Sequence, residues 1–275
     1  MMDDRYILLD QGAFRSAELR QRIAEDPNAY FVVPDVAFSE MAIKTDPILT
    51  ITRSLESLKS AADRTFMSLS CGEIKGLQRT RAQLLLKDLL NGPGTKILRV
   101  LLEGDASPDY GAVIQRILET APDHRKIYDG RQDKAVMVDH VAIFSRNLGT
   151  GGLRALRAGK IEEIEKLGII IMIMTQMEKV GGRFETDVDM RLLLVRLARI
   201  MMWAEKQGLG NISPNKIMND FIDMDFVVAG SFFDEIMTHD KTVKVLDGIM
   251  RSALDFEHAK RAVAAAMAIG FKVSA

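Results

Sequence analysis

Asn219-Asp220-Phe221-Ile222-Asp223-Met224-Asp225-Phe226-Val227-Val228-Ala229 runs through Gly230 into Phe233-Asp234-Glu235-Ile236-Met237-Thr238-His239-Asp240-Lys241. The first piece reads as a helix with acids on its opening turns, and the second as a short strand that ends in an acid. Asp220 and Asp223 stand at i and i+3, so a helix projects both from one face. Met237 would bring the chain to the carboxyl edge of a sheet, where Thr238-His239-Asp240 turns away. In open α/β sheets that edge is where ligands bind. Carboxylates gathered there repel and raise one another's pKa, a penalty that a divalent cation removes.

Working outward to the chain's first fifty residues, Tyr6-Ile7-Leu8-Leu9-Asp10 is an apolar run ending in an acid, followed by Gly12 and a helical stretch from Ala13 to Ala24. Asp26-Pro27-Asn28 breaks the chain. Tyr30-Phe31-Val32-Val33-Pro34 reads as a second buried strand, and Val36 to Ala42 as the helix after it, with Glu40 a lone acid among apolar neighbours. Strand, helix, strand, helix at short spacing predicts a parallel sheet with crossover helices.

Leu8-Leu9-Asp10, Val33-Pro34 followed by Glu40, Asp220-x-x-Asp223, and Thr238-His239-Asp240-Lys241 resemble, in order, the acidic signatures of the PIN-domain nucleases. The resemblance covers residues 4 to 72 and 210 to 250. It implies an α/β fold, a three-layer α/β/α PIN-like parallel sheet, carrying a large all-α insertion. It also implies a site for Mg²⁺ or Mn²⁺ and hydrolysis of phosphodiester bonds, RNA ahead of DNA. Gln11 and His239 depart from the pattern, standing where the family usually has a small hydroxyl or amide residue and often has asparagine. Carried over residue by residue, Asp10, Glu40, Asp223 and Asp240 are the expected catalytic acids, and with Asp220 the expected metal ligands. Thr238 and Lys241 would contact substrate. Each acid taken alone also suits an N-cap or a turn.

The expected division is a core of residues 1-72 and 208-275 and a helical insertion of 73-207. Ile48 to Asp63 has apolar residues at helical spacing, Thr65 to Leu69 alternates like a third strand, and Gly72 to Leu90 is again helical. Asn91-Gly92-Pro93-Gly94 then breaks the chain. Helices only are expected up to Gly210, with flexible junctions at Gly149 to Gly152 and Gly181-Gly182. The final residues, Gly270-Phe271-Lys272-Val273, suit a last edge strand.

Within the insertion, Arg154, Arg157 and Lys160 recur every three residues behind a glycine loop, a pattern able to hold phosphate. Lys75, Arg79 and Arg81, close to the third strand, are further candidates for substrate binding. His124, His140 and His258 lack partners at metal-ligand spacing and read as structural, as do Trp203 and the methionines from Met172 to Met177.

At 275 residues the chain can bury a large core, and 47% hydrophobic with 27% charged residues is an ordinary globular composition. The formal net charge of -1 supplies no global field for nucleic acid, so binding would depend on local patches. A single cysteine, Cys71, excludes an internal disulfide and a cysteine-rich zinc centre. Asp3 and Asp4 are unlike the basic start of a signal peptide, and no apolar run approaches the roughly 20 residues that span a bilayer, so a cytoplasmic protein without membrane contact is expected. The apolar helices leave room for a second reading, a catalytically inactive binding or assembly module, or a homo-oligomer formed through the helical region.

Overall fold

The computed structural model describes residues 4–42, 44–81, 84–130, 134–177, 187–206, 208–212 and 214–273. The chain divides into two units, Met1–Arg131 with Ala229–Lys244, and Gln132–Val228 with Val245–Ala275.

The first unit is α/β. Strand β1 (Arg5–Leu9) leads through a 3₁₀ turn (Ala13–Arg15) into α1 (Ala17–Glu25), whose N-cap Ser16 accepts from the Leu19 amide. Strand β2 (Ala29–Val33) is followed by α2 (Asp35–Ala42) and α3 (Pro47–Leu55). Helix α3 starts sharply because Asp46 caps the Leu49 amide and Pro47 occupies the first turn, where its missing N–H costs nothing. The expected single helix over 48–63 instead tightens after Leu55 into a 3₁₀ stretch, Glu56–Arg64, kinked at Ala61, and this delivers the chain into β3 (Thr65–Met67). Next come α4 (Cys71–Gln78), opened by a reciprocal Ser70 and Glu73 capping box, then a 3₁₀ turn at Leu86–Leu89, α5 (Gly92–Glu103) and α6 (Tyr110–Gly130).

The last strand, β4 (Glu235–Met237), enters from the far end of the sequence. All pairings are parallel in the order β3-β2-β1-β4, with Leu8 opposite Val32, Leu9 opposite Met237 and Phe31 opposite Thr65. Strands covered on both faces need continuous apolar runs, and Ile7, Leu8, Leu9, Val32 and Val33 are all fully buried. One core cluster gathers Ile7, Phe14, Phe31, Leu55, Leu98 and Leu102.

The second unit is helical among its described residues. It holds α7 (Lys134–Arg157), broken at Gly149 where φ is 61°, α8 (Glu163–Met177) and α9 (Val188–Lys206). Most of α10 (Pro214–Gly230), most of α11 (Lys241–Leu254) and all of α12 (Phe256–Ala268) complete it. Helices α8 and α12 approach so closely at Gly168 that an added Cβ would sit 2.0 Å from the Ala262 carbonyl oxygen. Ile170, Ile173, Met174 and Met201 are buried, while Met172 and Met177, at the ends of the methionine-rich stretch, are half-buried.

These units differ from the expected division at 72 and 208. Helices α5 and α6 stay with the sheet, because Leu98, Leu101, Leu102 and Ile117 share its core and Thr95 Oγ1 accepts from the Met67 amide at 3.0 Å. The end of the chain joins the helical unit instead of the sheet. Gly270, at φ 79°, closes α12 through bonds from its own amide to Met267 O and from the Phe271 amide to Ala266 O, so the expected edge strand is a helix terminator. The Gly181-Gly182 junction lies outside the described residues. No described helix is long and apolar enough to cross a membrane.

Candidate functional site

Parallel pairing of β1 with β4 sets the site. With Leu9 opposite Met237, the Asp10 amide donates to Met237 O at 3.0 Å, so Asp10 and Thr238 leave the carboxyl edge side by side. Thr238, 4% exposed, donates its hydroxyl to Asp10 Oδ2 at 2.6 Å and accepts the Asp240 amide at 3.0 Å. Gly230 makes the approach of this strand possible: a Cβ there would meet Ile236 Cδ1 at 2.2 Å and Leu8 Cδ2 at 3.2 Å.

Glu40 reaches the same neighbourhood from α2. Burial pushes its carboxyl above the usual range, the Lys44 ammonium pulls it back, and the negative charge of Asp10 pushes it up further. Asp10 and Glu40 are therefore two acids held within electrostatic reach, one of them largely withdrawn from water. An acid whose native pKa is raised binds its proton more tightly folded than unfolded. Its contribution to stability is then complete at low pH and is lost as pH rises through the ordinary glutamate range to the raised value. Glu40→Gln is expected to abolish that loss, raising the melting temperature of the metal-free protein at neutral pH relative to the wild type. Thermal denaturation across the acid-to-neutral range, with both proteins in chelator, measures it.

Asp240 has a double duty. Its Oδ1 accepts from the Thr242 amide at 2.6 Å and the Val243 amide at 3.1 Å, capping the start of α11, while Oδ2 stays outside the cap. Lys241 is the exposed first residue of that helix. Lys75 lies in the last turn of α4 and Arg79 at its C-cap, after the carboxyl end of β3, whereas Arg81 is paired with Asp88.

Asp220, Asp223, Arg154 and Arg157 belong to the second unit. Asp220, 5% exposed, receives the Arg199 guanidinium on Oδ1 and Trp203 Nε1–H on Oδ2, the latter at 3.0 Å, all within the helical unit. Its carboxylate is spent on a buried ion pair, which removes it from the expected metal ligands. Asp223 stands on the same helix and also belongs to the second unit. Arg154 and Arg157 fall in the last turn of α7, not at a helix start. There their charges complement the helix C-terminus, and Arg157 Nε donates to Ala204 O at 3.1 Å. His140 is held below its usual pKa by burial and by the charge of Arg196, in accord with a structural place. The His258 amide is capped by Asp255, and the side chain of His124 lies outside the described residues.

A cavity of about 530 Å³ begins at Gln11, the residue after Asp10. Its walls include Gln11, Gly12, Arg15, Lys44, Thr45 and Ser54. Sequence reading passed over Arg15, Lys44 and Ser54. A signal was present for Arg15 alone, which sits in the short connection directly after β1, the kind of place from which an α/β sheet presents ligand contacts.

Among the described residues no group of three or more histidine, cysteine or acidic side chains converges on one point. A closed protein cage for a metal is therefore absent from them. Two carboxylates with a hydroxyl still fit Mg²⁺ or Mn²⁺, since hard cations of this kind are commonly held by one or two carboxylates, with water and substrate phosphate in the remaining positions. The raised proton affinity of Glu40 is the cost that such a cation would relieve. In comparisons with known proteins the chain matches no family model, no curated protein and no solved structure.

Proposed function

We propose that the first unit is a PIN-like metal-dependent phosphodiesterase that hydrolyses RNA, its three-layer α/β/α arrangement built on the parallel sheet. The observation that carries this reading is the pair Asp10 and Glu40, two acids within each other's field at the carboxyl edge, with the Thr238 hydroxyl fixed on Asp10 Oδ2. Asp10 and Glu40 would hold Mg²⁺ or Mn²⁺, with Asp240 tied to the same edge by the bond from its amide to Thr238 Oγ1. A cation bound there lowers the pKa of water, neutralises phosphate charge and stabilises the leaving oxygen. The residues of the chain supply the rest. Thr238 orients the Asp10 carboxylate, and Lys44 offsets negative charge at Glu40. No nucleophilic side chain is called for.

The reading rests on residues of the first unit alone. Wild-type protein incubated with single-stranded RNA is expected to cut it in Mn²⁺ and not in chelator. Mn²⁺ at a hundred times its Kd is expected to stabilise the fold by about 2.7 kcal/mol. An unchanged melting temperature together with no cleavage above the chelator control would refute the assignment.

A further inference from the structure

The cavity that Gln11 and Lys44 help to line has a chemistry of its own. It begins at the residue after Asp10, and its Lys44 is the cation whose charge acts on Glu40. Two positive side chains, Arg15 and Lys44, line it from different segments together with one carboxylate, Asp46, which leaves the wall with one net positive charge. Arg15 is anchored: one guanidinium nitrogen donates to Ser54 Oγ at 3.1 Å, and Ser54 is 1% exposed, so the fork is held in place before any ligand arrives. Of the polar groups in the wall, Thr50 Oγ1 is spent on Asp46 O and Asp46 Oδ1 on the Leu49 amide. Donors therefore come chiefly from Arg15, Lys44, Gln11 and Thr45.

A site of about 530 Å³ lies in the range of roughly 300–1,000 Å³ that accepts a small organic ligand. We propose that this cavity binds one nucleotide of a single-stranded nucleic acid next to the scissile bond, its backbone phosphate taken by Arg15 and Lys44. The proposal rests on the nuclease reading for the identity of the strand, but binding here needs no metal. Arg15 has the geometry for a bidentate phosphate contact, already oriented by Ser54, while Lys44 acts as a point charge. The pairing also gives a purpose to placing cations beside acids: they draw a polyanion into an edge that two carboxylates would otherwise repel.

Binding of fluorescein-labelled single-stranded RNA, and of DNA of the same sequence, measured by anisotropy in chelator over a salt series, tests this. Lys44→Gln and Arg15→Lys are each expected to weaken binding by about tenfold; Lys44→Gln, which removes a charge, lowers the dependence of log Kd on log salt by about 0.7, while Arg15→Lys, which keeps the charge and loses the fork, leaves it unchanged. Lys59→Gln removes an equal charge from a side chain paired with Glu56 and is expected to bind as the wild type does. Preference of RNA over DNA, or equal binding of both, decides which strand the cavity accepts. If neither strand binds the wild type, or if both cavity variants bind as tightly as Lys59→Gln, the subsite is overturned. Metal-dependent cleavage by the wild type then still stands or falls on its own measurement.

Discussion

Asp10→Asn is expected to reduce Mn²⁺-dependent RNA cleavage by more than about 100-fold, the scale on which even groups that merely support a metal ligand act. The substitution keeps the shape of the side chain and an oxygen for Thr238 to donate to, so the link between β1 and β4 survives. What it removes is one of two charges. Without it a hard cation would lose one of its two proposed ligands, and Glu40 loses the repulsion that raises its proton affinity. The metal-free variant should therefore melt no lower than the metal-free wild type, while its stabilisation by Mn²⁺ falls away. Single-turnover cleavage with parallel melting curves measures both. A variant that cuts RNA at the wild-type rate would remove Asp10 from the chemistry.

Asp220→Ala carries the largest expected effect on stability. The side chains of Arg199 and Asp220 are 9% and 6% exposed, so deleting the acid strands a guanidinium in a dry interior and leaves Trp203 Nε1–H without its acceptor. Breaking a buried pair in this way costs about 3–5 kcal/mol. Replacing both members by apolar residues, Arg199→Met with Asp220→Leu, should recover most of the loss, because no charge is then left behind. Trp203 is the only tryptophan in the chain and touches the pair, so its fluorescence during urea unfolding reports on this unit directly. A shift of less than about 1 kcal/mol for Asp220→Ala would mean that the pair is solvated in solution.

The same pair shows where the sequence was misleading. Acids at i and i+3 on a helix look like ligands, and nothing local to residues 219–229 reveals that a guanidinium from residue 199 occupies one of them. The clue lay in the partner, since Arg199 stands inside an apolar helix one turn before Trp203, and an arginine buried there needs an acid from elsewhere. The sheet was easier to read. Strands β1 and β2 are apolar runs bounded by breakers, and Asp10 and Thr238 follow their strands directly, so register places them together.

Domain limits were harder because α5 resembles the helices after it in pattern. Only its bond to β3 and the core cluster it shares with Ile7 show which core it joins. The cavity was missed for a related reason. Arg15, Lys44 and Ser54 come from three separate segments, and no spacing in the chain links them.

The pairing of Leu9 with Met237 has a consequence for how the protein is made. At synthesis rates of about 5–20 residues per second, β1 to β3 exist for roughly ten to thirty seconds before β4 emerges. During that wait the β1 edge, with Ile7 to Leu9, is an open template for any stray strand. A nascent chain stalled short of residue 235 leaves that edge without its partner strand, so half-made copies should be the ones most prone to clump.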